Sequence, residues 1–118
     1  MEFHGPRTQI LEEGKATDEA VVVYTVPVGK KFYMIESILV VDAGATGTAQ
    51  VEIHTEAHVH IRHLNWMMIR ENNKGIIPAD HCHPAWPIEM SAGEHIMVSS
   101  NAAFLEAQCD IFGFEVDA

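Results

Sequence analysis

Eight of the 118 residues are histidine, and several stand at spacings that could bring imidazoles together. His58 and His60 are two residues apart. On a β-strand, alternate side chains point the same way, about 6.5 Å apart, and two such rings can lean onto one metal ion. His54 belongs to the same alternating set, and His81 and His83 form a second alternate pair around Cys82. The chemistry open to such residues is cation binding by His58 and His60, with His95 as a further donor from a later segment. The plainer reading is a solvated strand face, because Glu52, Glu56 and Arg62 alternate in step with these histidines. A third arrangement places a metal ion between symmetry-related histidines of an oligomer. None of these patterns implies a resident cofactor.

Other site chemistries lack their motifs. Ser37, Ser91, Ser99 and Ser100 stand outside any Gly-x-Ser-x-Gly elbow. No glycine-rich loop is present that could cradle a phosphate. Cys82 and Cys109 allow one bridge at most, and nothing in their spacing requires it. They read as free thiols that pack as small hydrophobes, as expected in a reducing cytoplasm. The carboxylate pairs Glu12/Glu13 and Asp18/Glu19 fall in a polar segment and read as solvated. Trp66 and Trp86 could form a stacking platform for a sugar, although tryptophan more often fills a core or an interface.

A strand-borne His-x-His also resembles the opening of the cupin metal site. The remainder departs from that family. Where cupins have a glycine six residues before the first histidine, Glu52 stands here. Where they have a glutamate soon after the pair, the next is Glu71. Gly93 is followed by His95 after a single residue, where the cupin spacing is longer. The expectation is therefore not an enzyme. A cupin-like metalloprotein and a carbohydrate-binding module stand as alternatives.

The elements that must position these residues are strands. Met1 to Glu19 is polar and acidic, and only Ile10 and Leu11 look fit to pack. It reads as an extended N-terminal arm over residues 1–19, with one short strand near Thr8 to Glu12. The body, residues 20–118, begins with Val21-Val22-Val23-Tyr24-Thr25-Val26, a β-branched and aromatic run ended by Pro27. Phe32 to Val41 is apolar on both faces. Phe32, Met34, Ile38 and Val40 fall on one face by alternation, and Tyr33, Ile35, Leu39 and Val41 on the other. Such a strand is central, or lies at a subunit interface.

From Val51 to Arg62 apolar and polar residues alternate, which means one strand or two joined by a tight bend. The phase slips near His63, as a bulge or a short helical turn produces. Ala79 to Pro87, with Pro84 and Pro87, reads as an irregular loop. Strands follow at His95 to Ser99 and Phe104 to Val116, the latter with a phase shift between Ile111 and Phe112. Short strands broken by glycine and proline indicate a single-domain, all-β antiparallel sandwich or jelly roll.

Composition narrows the partners. A chain this long forms one domain and buries a core without staples. The formal net charge is −10, and only 7 lysines and arginines are present. Nucleic acids and anionic membranes are disfavoured, because both demand a positive surface. No charged segment followed by an apolar run opens the sequence, so no secretion signal is expected. No stretch approaches the roughly 20 apolar residues of a membrane helix.

Two segments carry a resemblance. Tyr24-Thr25-Val26-Pro27-Val28-Gly29-Lys30-Lys31-Phe32-Tyr33 resembles a hairpin common in small β-sandwich proteins of tailed-phage virions. Pro87-Ile88-Glu89-Met90-Ser91-Ala92-Gly93-Glu94-His95-Ile96 resembles a later element of the same proteins, and Ile111 to Val116 fits that style. The resemblance implies a capsid decoration, or cement, protein, or else a tail or fibre component. It implies a homotrimer on the outside of the head shell, assembled in the host cytoplasm, whose arm grips the major capsid protein. Phe3, Ile10, Leu11, Trp66 and Trp86 are the residues expected at interfaces.

Overall fold

A computed structural model describes residues 7–118. Its strands are β1 (Arg7–Thr17), β2 (Ala20–Thr25), β3 (Lys30–Ala43), β4 (Gly47–His54), β5 (His60–Ile69), β6 (Ala79–Cys82), β7 (Ile88–Ser91), β8 (His95–Ser100) and β9 (Leu105–Asp117). A short 3-10 helix, Glu71–Asn73, follows β5. Two antiparallel sheets face each other. The first runs β1-β9-β3, with β6 and β7 sharing the far side of β3; the second runs β2-β8-β4-β5. The expected all-β sandwich is what the chain forms. No described helix is long and apolar enough to cross a membrane.

The core lies between the sheets. It is built from Phe32, Met34, Leu39 and Val41 of β3, Ile96 and Val98 of β8, and Leu105 and Ile111 of β9, among others. Each such side chain contributes about 1.5–3 kcal/mol through burial. Polar side-chain links tie the sheets, Ser100 Oγ of β8 to Leu105 O of β9 among them. Tyr24 Oη donates to Glu115 Oε2 at 2.6 Å, joining β2 to β9, with its ring 4.6 Å from that of Phe32. On the opposite side, Ser37 Oγ donates to Asn65 Oδ1 at 2.6 Å, and Asn65 Nδ2 lies 2.9 Å from Asp80 Oδ2.

Four local expectations change. The central strand does not keep one phase: a bulge between Met34 and Glu36 reverses it, so Ser37, Leu39 and Val41 join Phe32 and Met34 inside, while Ile38 and Val40 turn outward. Ala79 to Cys82 is a strand, because the free side of β3 at Ser37 to Val40 pairs with it despite the prolines that follow. β9 shows no phase shift. Its inward positions continue through Ile111 to Gly113, which leaves Phe112 and Phe114 on the outer face. The short strand expected near Thr8 spans Arg7–Thr17 and pairs with β9 along its whole length. The division drawn at residue 19 falls at the β1–β2 turn, where Asp18 takes φ 51°.

Candidate metal centre on the outer face of the second sheet

The turn between β4 and β5 decides where the histidines go. Thr55 N–H donates to Val59 O at 2.8 Å, and His58 N–H donates to Thr55 O at 2.9 Å. His58 takes a left-handed φ of 63° to close it. His58 is therefore off the strand, and its ring does not share a site with that of His60. Its Nδ1 lies 3.1 Å from His95 Nε2 instead. The three candidate ligands, weighed against a plain solvated face, divide into a His58–His95 contact and a separate His60 group. The reason is the turn, which breaks the alternation that placed His58 and His60 on one face.

Two register shifts shape β5, and the second of them, at Ile61, builds the His60 group. Val51 pairs with Asn65 but Glu52 with His63, so Leu64 is an extra residue. Ile53 pairs with Arg62 but His54 with His60, so Ile61 is a second. Each extra residue reverses the phase of β5. His60 and His63, three residues apart, consequently land on the same outer face on either side of Glu52. His60 Nε2 is 3.0 Å and His63 Nδ1 3.7 Å from Glu52 Oε2, and the two rings are 4.5 Å apart. His54 Nε2 is 3.7 Å from the other carboxylate oxygen. The Glu52 side chain is only 15% exposed.

On the next strand, β8 sets His95 opposite His54, with ring centroids 5.8 Å apart. The result is a row of imidazoles, His63, His60, His54, His95 and His58, along one end of the sheet. Both ring nitrogens of His54 are buried without a hydrogen-bond partner among the described residues. Buried polar atoms are nearly always paired, so these two nitrogens call for a partner. Glu52, His60 and His63 offer donor atoms within 4.8 Å of one another, a set suited to a divalent transition metal.

A similar trio lies on the other sheet. His81 Nε2 is 3.1 Å and His83 Nδ1 4.0 Å from the Glu36 carboxylate, which the β3 bulge turns outward. Cys82, between these histidines, and Cys109 are both free. Burial pushes the Cys82 thiol up, and it pushes Cys109 up to about 12, so both favour the protonated, unreactive form.

The residues expected at interfaces fall in different places. Leu11 is 72% exposed, Trp86 71% and Trp66 52%, whereas Ile10 packs partly against the core. Phe3 lies outside the described residues. Leu11 stands opposite Phe112, and Tyr33 opposite Phe114, on the outer face of the first sheet. The Arg7 guanidinium lies over the Phe114 ring at 5.1 Å. Sequence reasoning missed Glu52, His63 and Glu36 as site residues and Phe112 and Phe114 as surface residues. The slip near His63 signalled a bulge in this strand, but the extra residue that brings His60 and His63 to one face is Ile61.

No family model matches the chain, and no curated protein matches it in sequence. Among solved structures, it is similar to a chain of the cyanophage Pam1 capsid asymmetric unit, with TM-score 0.52 and 13% identity over 97% of this chain and 90% of that one. It is also similar to a chain of the disulfide-linked pili that form Bacillus endospore appendages, with TM-score 0.46 and 10% identity over 95% of this chain and 87% of that one. A third likeness, to 17% of an arabinose-bound α-L-arabinofuranosidase chain, has TM-score 0.43 and 13% identity over 83% of this chain. At these identities the likeness is one of fold, and that fold occurs in a phage capsid.

Proposed function

We propose that this chain is a non-enzymatic structural protein of a virion, seated on the outside of the capsid as a decoration protein. The observation that carries the reading is the near full-length likeness of fold to a chain of a cyanophage capsid asymmetric unit. The strand orders β1-β9-β3-β6 and β2-β8-β4-β5, with the chain passing repeatedly between the sheets, support reading the sandwich as a jelly roll, an architecture of viral capsid domains. Large apolar side chains on the outer faces, Leu11, Trp66 and Met68 among them, supply surface for other protein chains. The partners are copies of itself in a homotrimer and the major capsid protein. Residues 1–19 act as the arm, with β1 as an edge strand that can exchange its pairing for a partner.

Mass spectrometry of washed particles from the phage that encodes the chain should find it in amounts comparable to the capsid protein. Its absence from such particles overturns the reading. Electron cryomicroscopy then separates density on the head from density on the tail or fibre. Sedimentation velocity should give three times the 13.1 kDa chain mass. A strict monomer that does not bind capsids removes the decoration role.

A further inference from the structure

We propose that Glu52, His60 and His63 hold one divalent transition-metal ion of the zinc type on the outer face of the second sheet, with His54 as a positioning residue. Zinc takes imidazole and carboxylate donors at about 2.0–2.2 Å in a tetrahedral shell. Donor atoms in such a shell are spaced by roughly 3.3 Å, which follows from those bond lengths. Here His60 Nε2 and His63 Nδ1 stand 3.0 and 3.7 Å from Glu52 Oε2, close to that spacing, and all three donor atoms lie within 4.8 Å of one another. The ligands come from two hydrogen-bonded neighbouring strands, whose backbones are held by the ladder. Water completes the shell on the exposed side, where both imidazoles meet solvent.

His54 explains the remainder of the geometry. A metal-bound carboxylate is usually held by a hydrogen bond to its second oxygen. His54 Nε2 faces Glu52 Oε1 at 3.7 Å, just beyond hydrogen-bond reach, and no other partner serves it among the described residues. A small turn of the carboxylate onto a metal brings that bond within reach and satisfies a buried donor. The Glu36–His81–His83 trio is the weaker competitor. Its two imidazoles face different carboxylate oxygens, one of them at 4.0 Å, and no orphaned buried nitrogen among the described residues adjoins it.

Chelator-stripped full chain should bind one Zn2+ per chain in isothermal titration, and Co2+ should give the intense visible bands of tetrahedral coordination. His60→Ala with His63→Ala should abolish the binding, while His81→Ala with His83→Ala should leave it unchanged, circular dichroism confirming the fold of each. His54→Phe should weaken affinity by about tenfold, and His54→Gln, which retains a donor, should restore most of it. Wild-type protein that binds neither ion shows a plain ion-pair network and overturns the proposal. Binding that survives loss of His60 and His63, or that vanishes with His81 and His83, overturns it as well.

Discussion

Cys109 sits on β9 with no exposed surface, its Sγ 3.8 Å from Ser37 Oγ. Burial raises its thiol from 9.0 to about 12. The unfolded chain therefore gives up this proton from pH 9.0 upward while the folded chain keeps it, so folding loses stability as pH rises through that window. Below pH 9.0 the contribution is fully present. Tyr24, also raised by burial and by its bond to Glu115, adds a loss of the same sign from its ordinary value of 10.0. The unfolding free energy from urea titrations should fall as pH rises above 9.0, with Cys109 contributing a slope of at most about 1.4 kcal/mol per pH unit. Cys109→Ala should flatten the first part of that fall. Gly113 gives a second test. A Cβ there stands 2.5 Å from Phe32 Cζ and closer still to the Tyr33 carbonyl oxygen, which is backbone and cannot yield. Gly113→Ala should cost about 3 kcal/mol or more in denaturant unfolding. Gly29→Ala meets nothing within 4 Å and should cost only about 1–2 kcal/mol, for its left-handed φ of 79°.

Strands here are joined into sheets by ladders, but the sheets are joined to each other by few polar contacts. Asn65 is the main one on the β5–β6 side. Its Oδ1 accepts a hydrogen bond from the Ser37 hydroxyl, and its Nδ2 donates toward Asp80 Oδ2 and the carbonyl oxygens of Ser37 and Asp80. This single side chain of the second sheet holds both β3 and β6 of the first. Asn65→Ala leaves a buried hydroxyl and two carbonyl groups without it, at a cost of about 1–3 kcal/mol. Hydrogen–deuterium exchange should then rise at Ala79–Cys82, a four-residue strand, well before it rises at β8. Equal protection of β6 in the variant and the wild type would show that its ladder with β3 suffices alone. The same scale explains the candidate metal centre: two extra residues in β5, Ile61 and Leu64, decide which side chains look outward.

At the scale of the whole molecule, the sandwich is a slab of 49 × 27 × 18 Å with apolar groups on both broad outer faces. Leu11, Phe112 and Phe114 lie on one, Trp66 and Met68 on the other. Exposed apolar surface of this kind marks contact with other chains when it is contiguous. A net charge of −10 keeps the free chain soluble meanwhile. Acrylamide should quench both tryptophans in the dilute free chain, since Trp66 and Trp86 are largely exposed. In a Trp86→Phe variant, assembly that covers the second sheet should protect Trp66 and shift its emission to the blue. Quenching unchanged on assembly would show that this face stays open.

By itself the sequence determined that this chain makes strands and roughly where. Hydrophobic alternation at Val51 to Ile53, the β-branched run at Val21 to Val23 and the breaks at Pro27 and Gly93 are local properties, and local sterics and burial act on them directly. It also singled out Leu11, Trp66 and Trp86, which the fold leaves exposed. Tertiary structure alone decided which strands pair and in what register. Ala79 to Cys82 is a strand only because β3 offers it a free side, and Phe112 faces outward only because Gly113 fits beneath Phe32. The imidazole row rests on the same cause. An extra residue reverses every side chain beyond it, and whether a residue is extra depends on the partner strand, which lies elsewhere in the chain.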